Sequence, residues 1–326
     1  MRIVVTGAGG LIGRGVTALL LKQGSLRGQQ ITELVLSDRS APPPPPVGAT
    51  FPVRCMACDV RDALQIETVF GAAADVVFHL AAVMSGPAEL DYALGWSINL
   101  DGSRNVLEAC RQMAKPPIVL FSSTTAVYGY GAPDPVPDDY APRPANAYGT
   151  QKAMIELMIE EYSRRGFIDG RMVRMSGVAV RSDDTHEGAA AFITAIVRGP
   201  LLGRETICPV PLSTRVGIIT PATVFAALLH LAELRSDAFR DSRAIQLPAL
   251  TLTVSDVIQA VRRAGGAEAE ARIMVKLDPA LVALRKGIPV AFTAERARAL
   301  GFPVPPDIDG VIRQFLSDIE ERAGAG

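Results

Sequence analysis

The first thirteen residues leave little freedom in the choice of fold. Arg2-Ile3-Val4-Val5-Thr6 is a short β-branched run, Gly7-Ala8-Gly9-Gly10 follows, and Leu11, Ile12, Val16, Leu19 and Leu20 then recur at helical spacing over 11–23. A strand that turns through glycines into a helix brings backbone N–H groups and a partial positive charge of roughly half a unit to one point, where a diphosphate can approach without meeting side chains. Gly7, Gly10 and Gly13, with the first helical residues Leu11 and Ile12, are the expected cradle. Their spacing departs from the usual dinucleotide fingerprint. Asp38 closes the next apolar run, Leu34-Val35-Leu36, at the place where a carboxylate binds the adenosine ribose hydroxyls and repels a 2′-phosphate. NAD is therefore expected in preference to NADP, although Arg39 follows directly and is able to pair with such a phosphate.

Short apolar runs alternate with helical segments through the first half: strands at 2–6, 32–37, 51–57, 75–80, 117–122 and 171–176, and helices at 11–23, 62–71, 90–113 and 147–165. This pattern predicts an α/β chain with a doubly wound parallel sheet, a Rossmann arrangement, whose ligands sit at the strand carboxyl ends. The five prolines at 42–46 predict a stiff, exposed polyproline loop. Beyond residue 181 the pattern changes. A helix near 188–197, a proline-rich turn at 200–211, a strand at 215–219, a helix at 221–234 and helices near 255–264 and 308–321 are expected. We read residues 1–177 as a cofactor domain to which 215–245 return, and 178–214 with 246–326 as a smaller substrate-binding cap.

With 33 basic and 34 acidic residues among 326, the net charge of −1 offers no electrostatic case for nucleic acid or an anionic membrane. No apolar run approaches the length of a membrane span, and no signal peptide is visible, so a cytoplasmic protein is expected. Cys55 and Cys58 form a C-x-x-C without a second ligand pair, and reduced thiols are the simpler reading; no metal is expected.

Tyr148 and Lys152 share a face of the helix expected at 147–165. A phenol near pKa 10 is a poor base at neutral pH, and a neighbouring ammonium is the group able to depress it, each unit corresponding to about 1.4 kcal/mol. Together with the glycine turn, the pair points to nicotinamide-dependent chemistry.

The ordered set Thr6 to Gly13, Asp59-Val60, His79-Leu80-Ala81-Ala82, Asn99-Leu100-Asp101-Gly102, the run Phe121-Ser122-Ser123-Thr124-Thr125-Ala126-Val127-Tyr128-Gly129, and Tyr148 with Lys152 resembles the extended short-chain dehydrogenase/reductases, the NAD-dependent epimerase/dehydratase group. The resemblance implies that Asp59 and Val60 hold adenine, that Leu80, Ala81 and Ala82 pass beneath the cofactor, and that Asn99 and Ser122 belong to the same cofactor site. Tyr148 would be the general base. Lys152 would bind the nicotinamide ribose, and a hydroxyl of the 122–124 run, Thr124 by position, would hold the reacting oxygen. A homodimer through the helices 90–113 and 147–165 is also implied, with Ile98, Val106, Leu107, Met154, Leu157 and Met158 as its apolar stripes.

Dehydratases of the group carry an Asp-Glu pair after the catalytic threonine; here Thr125 and Ala126 stand there, and no acid/base pair exists for elimination. Nucleotide-sugar epimerases carry an asparagine where this chain has Ser176. The segments Val83-Met84-Ser85-Gly86-Pro87-Ala88-Glu89, Tyr162 to Gly170, Cys208-Pro209-Val210-Pro211 and Ser213-Thr214-Arg215 resemble a narrower group, the D-erythronate dehydrogenases, which oxidise the 2-hydroxyl of a four-carbon sugar acid with NAD. A sugar-acid substrate is the expectation, with Ser85, Gly86, Ser123 and Thr124 lining its pocket. Arg215 is the candidate for its carboxylate, because a guanidinium fork grips a carboxylate bidentately. A nucleotide-sugar epimerase is the alternative.

Overall fold

The computed structural model describes residues 1–45, 49–71, 73–181, 191–239, 242–285 and 288–324. Apart from a small hairpin at 25–30, the strands are β1 (Arg2–Thr6), β2 (Glu33–Asp38), β3 (Val53–Ala57), β4 (Val76–His79), β5 (Ile118–Thr124), β6 (Asp169–Met175), β7 (Gly177–Val178), β8 (Thr206–Cys208), β9 (Arg215–Ile219), β10 (Ala244–Gln246), β11 (Leu250–Thr253) and β12 (Ile273–Val275). Seven of them form one parallel sheet in the order β10-β6-β5-β4-β1-β2-β3. The chain moves outward in opposite directions from β1 and β4. Their carboxyl ends therefore open a crevice at the point of reversal, where Thr6 pairs with His79 and a ligand has room to enter.

Alternate residues of each strand face opposite layers, and both layers are covered, which is why the strands read as continuous apolar runs. Ile3, Val5, Leu34, Leu36, Phe78 and Val173 pack toward α1 (Leu11–Gln23) and one face of the sheet. Val4, Val35, Val77, Val119, Phe121 and Met172 face the other layer, built from α2 (Ala63–Phe70) and from the helices that follow β4 and precede β6. The single long helix expected at 90–113 is instead broken into α3 (Ser85–Leu90), α4 (Tyr92–Gly95), a π-helical turn at Trp96–Asp101 and α5 (Gly102–Arg111). Asp91 causes the first break by capping the Leu94 N–H. The next helix, α6 (Ala147–Arg164), starts where expected, with Asn146 accepting from the Gly149 N–H. Of the apolar stripe proposed for a dimer, Val106 and Leu107 are fully buried against the sheet, whereas Leu157 is 70% exposed.

A second hydrophobic core is formed by α7 (Ala191–Leu201), β9, α9 (Val254–Ala271), and α11 (Ile308–Gly324). Between them, α8 (Pro221–Glu233) packs on α1 so closely that a Cβ on Gly15 would lie 2.2 Å from the Phe225 ring. Buried Arg171 on β6 donates to the carbonyls of Leu231, Ala232 and Leu234, satisfying groups that the end of α8 leaves without helical partners. The segment 215–245 divides: α8 and β10 join the large sheet, while β9 pairs with β7 and β11 in a separate three-stranded sheet. Two local expectations change. Pro200 lies inside the last turn of α7, and the proline-rich stretch contains β8, paired with β12. The polyproline segment carries a buried residue, Pro42, so it is not wholly exposed; Pro46 lies outside the described residues, as does the start of the helix expected near 188.

Candidate active site

The glycine turn is shaped by close approach. Gly7 has φ +72, and a Cβ there would sit 2.5 Å from the Ala81 nitrogen; a Cβ on Gly13 would sit 2.2 Å from the Gly7 carbonyl oxygen. Only glycine fits either position. Leu80, Ala81 and Ala82, leaving β4, thus lie against the turn that leaves β1. Gly10 is the exposed N-cap of α1 without a side-chain cap, so no side chain competes for the first N–H groups of the helix, which Leu11 and Ile12 begin. A side chain at Gly7, Gly10 or Gly13 would fill this cradle, and its bare backbone fits a diphosphate.

Asp38 sits at the rim of the cradle, its carboxylate accepting from the Gly9 N–H at 3.0 Å and from the Arg39 N–H at 2.7 Å. Asp59 is held by Arg61 at 2.5 Å, and this pairing keeps its carboxyl below the usual range. Val60 packs under Gly102, where a Cβ would meet its side chain at 2.6 Å. The carboxylate of Asp38, already aimed at the cradle, should select the cofactor: Asp38→Ala is expected to weaken NAD binding by roughly tenfold, the loss of about one charge-assisted hydrogen bond, and to relax rejection of NADP. Fluorescence titration with both dinucleotides measures this. A wild-type preference for NADP would show instead that Arg39 governs the site.

The chemistry-bearing residues converge where β5 ends and α6 begins. The Thr124 hydroxyl accepts from the Ala126 N–H at 3.1 Å, capping the short turn Thr125–Tyr128. Lys152 is buried and donates from Nζ to the Ser122 carbonyl at 3.0 Å; the same nitrogen lies 4.4 Å from the centre of the Phe121 ring and 5.6 Å from that of Tyr148. Tyr148, Lys152, Ser122 and Thr124 are thus brought together. Their ionisation differs from the sequence expectation. Burial pushes the half-buried Tyr148 phenol up to about 12, in place of the depression expected from Lys152, and burial pushes Lys152 down to about 7 against the pull of Glu156. Removing both groups from water disfavours the charged form of each.

The other expected site residues have local partners. Asn99, in the π-helical turn, accepts from the Val83 N–H and donates to the Val83 carbonyl and to Gln151, tying the loop after Ala82 to α6. A π-turn in this position is a recurrent feature of functional sites. Ser123 donates to Glu156 within the protein. Ser85 is half-buried and Gly86 exposed in the short helix α3.

Arg215, half-exposed on β9, is ion-paired with Asp134 at 2.6 Å. The two line a cavity of about 430 Å³ together with Gly131, Ser213, Thr214 and Arg285, the last residue of α10 (Pro279–Arg285). Asp134, Arg285 and Glu156 were not singled out by the sequence reading. Glu156 had a signal, its place one turn after Lys152; the other two had none. Cys55 and Cys58 carry free thiols, and burial pushes Cys58 up to about 11, away from the reactive thiolate. Among the described residues no group of three or more His, Cys, Asp or Glu is placed to hold a metal ion, and no helix is long and apolar enough to cross a membrane.

Comparison with known proteins agrees with this arrangement. The profile of the NAD dependent epimerase/dehydratase family matches residues 3–214. The chain belongs to that family. It is 38% identical to a D-erythronate dehydrogenase of Cupriavidus necator, with 98% of each chain covered, and 33% identical to one of Haemophilus influenzae, with 97% and 99% covered. A crystal structure of a nucleoside-diphosphate-sugar epimerase from Agrobacterium tumefaciens superimposes with a TM-score of 0.94 at 36% identity, covering 98% of this chain and 95% of that one. Membership, with the dehydrogenase relatives, makes this an NAD-dependent oxidoreductase with a Rossmann fold.

Proposed function

We propose that the protein oxidises a hydroxyl of a small sugar acid, D-erythronate or a close analogue, with NAD. The observation that carries the reading is the cavity bearing Arg215 and Arg285: two guanidinium groups suit a carboxylate, and relatives of nearly equal length are named for such an acid. Bound NAD supplies the hydride acceptor. Gly7, Gly10, Gly13 and the first turn of α1 hold its diphosphate, Asp38 its adenosine ribose, Asp59 and Val60 its adenine, and Leu80, Ala81, Ala82 and Ser122 line its path. Asn99 acts here by fixing the loop beyond Ala82.

The Thr124 hydroxyl holds the substrate oxygen, and Tyr148 Oη takes its proton. Lys152 stays close to the phenol and to the ribose. The productive charge state is a tyrosinate beside an ammonium. It contains the same number of protons as a neutral phenol beside a neutral amine, so local charge, more than bulk pH, sets its population. Ser85 and Gly86 are assigned to the rim of the substrate pocket, whereas Ser123, buried with its hydroxyl on Glu156, acts behind it. The exposed apolar residues Leu157, Leu90 and Tyr92, on α6 and around α3 and α4, support a homodimer through this face.

The test is direct: incubated with NAD and four-carbon 2-hydroxy acids, the enzyme should accumulate NADH. A nucleotide-sugar epimerase, the reading favoured by the Agrobacterium tumefaciens structure, would instead interconvert nucleotide-linked sugars without net NADH. That outcome would replace the sugar-acid assignment.

A further inference from the structure

A buried carboxylate next to the site has no task in the chemistry above. Glu156 lies one turn beyond Lys152 on α6, and residues four apart share a helix face. It is 4% exposed, yet three side chains on three elements converge on it or on its partner. Ser123, on β5, donates to its Oε1 at 2.5 Å; Arg174, on β6, grips both oxygens, with Nη2 2.7 Å from Oε2 and Nε 3.0 Å from Oε1; and Arg174 Nη1 donates to the Tyr128 hydroxyl at 3.2 Å. The register explains the convergence, because Ser123 and Arg174 are paired neighbours across β5 and β6.

A buried ion pair is weak evidence for a stabilising role, since apolar residues of similar volume often serve as well. What a buried ion pair does provide is a fixed dipole, and here its negative end is on the helix that carries Lys152. Lys152, with its ammonium on the Ser122 carbonyl, needs that negative end.

We infer that Glu156 is a positioning residue that maintains Lys152 as the cation of the site, and that Arg174 and Ser123 serve to hold the Glu156 carboxylate in place and aimed. The inference rests on the assignment of Lys152 as the cation of the site. The groups around Lys152 are consistent with it. On the same helix, burial favours the protonated phenol of Tyr148, which supplies no competing negative charge until it acts as base. His79, on β4, is also neutral, pushed down to about 3 by burial and by the Lys152 charge, with its ring nitrogens 2.8 Å from the hydroxyls of Thr6 and Ser103. Tyr128 is pushed up by burial while Arg174 pulls it down, and Asp138 adds to its negative surroundings. Glu156 is the negative charge that acts on Lys152 against burial.

The test reads Lys152 itself and needs no substrate. The protein has five lysines, Lys22, Lys115, Lys152, Lys276 and Lys286, few enough for an NMR titration of protein carrying lysine labelled with carbon-13 at Cε; a Lys152→Met spectrum assigns the signal. In Glu156→Gln the Lys152 midpoint should fall by about one to two pH units, the value of a like-sized Coulomb interaction at partial burial. Glu156→Asp, which keeps the charge, should stay near the wild-type midpoint. If Arg174 without its partner prevents Glu156→Gln from folding, Glu156→Gln combined with Arg174→Gln removes the stranded guanidinium, and the midpoint should still fall, by less than in the single variant because a positive charge leaves with the negative one. The alkaline limb of the pH–rate profile should move down with the midpoint. A loss of thermal stability with an unmoved Lys152 midpoint would overturn the inference and leave Glu156 as a packing element. Failure of the sugar-acid reading would leave the titration untouched, so the two are told apart.

Discussion

Tyr148→Phe is expected to lower turnover by about 10²- to 10⁴-fold, the range typical of a lost general acid–base group, while leaving NAD affinity close to wild type. The expectation follows from what the substitution changes. It removes one oxygen and keeps the ring that lies beside Lys152 Nζ. Because the substitution deletes one polar atom and adds none, the melting temperature should stay close to wild type. A fall in activity without a fall in stability or cofactor binding therefore isolates the chemical step. Lys152→Met is the contrasting variant: it should lose activity and NAD affinity together, since the proposed role of the ammonium includes the ribose. Steady-state rates, NAD titration and thermal melts on the two variants make the comparison. More than about a tenth of wild-type rate in Tyr148→Phe would remove this residue from the role of base, given the usual size of such effects.

The glycine turn and the shared helix face of Tyr148 and Lys152 are legible in the sequence, for physical reasons that vary by element. The glycine turn was legible because its constraint is local: a backbone that must come within van der Waals contact of Ala81 and of its own helix admits no Cβ at Gly7 or Gly13. Tyr148 and Lys152 were legible because a helix converts a spacing of four into a shared face. The π-turn inside the helix expected at 90–113 was hidden because its partners are distant, although Asp91, which caps the Leu94 N–H and makes the first break, is local. The π-turn there carries Asn99, whose partners are the Val83 backbone and Gln151, 52 residues further on. The ionisation of the pair was misjudged for a related reason. Sequence spacing reports the proximity of Lys152 to Tyr148, but not the burial that raises the phenol and, against Glu156, lowers the amine. The cap was the least legible part. Arg215 and Asp134 are 81 residues apart and meet only because the small sheet carries β9 toward the segment that leaves β5.

That meeting decides how Arg215 should behave. If it grips the substrate carboxylate, Arg215→Met should raise KM for four-carbon acids by roughly 30- to 150-fold, or about 2–3 kcal/mol, the lower part of the range for a truncated charge pair because the side chain is half-exposed and screened. Arg215→Lys should cost less, since the charge remains while the planar fork is lost. Asp134 complicates the reading in an informative way. It now occupies one N–H of the guanidinium at 2.6 Å, so an incoming carboxylate either shares Arg215 with Asp134 or displaces it. Asp134→Asn frees that donor and removes a negative charge from the cavity, and KM for the acids should fall, not rise. The opposite signs of the two variants exclude a shared folding defect as their cause. Uncharged polyol analogues complete the measurement: they should be poor substrates for the wild type and insensitive to both substitutions. If Arg215→Met leaves acids and polyols equally affected, the guanidinium has a structural role, and Arg285, which also lines the cavity, becomes the residue to which the carboxylate must be assigned.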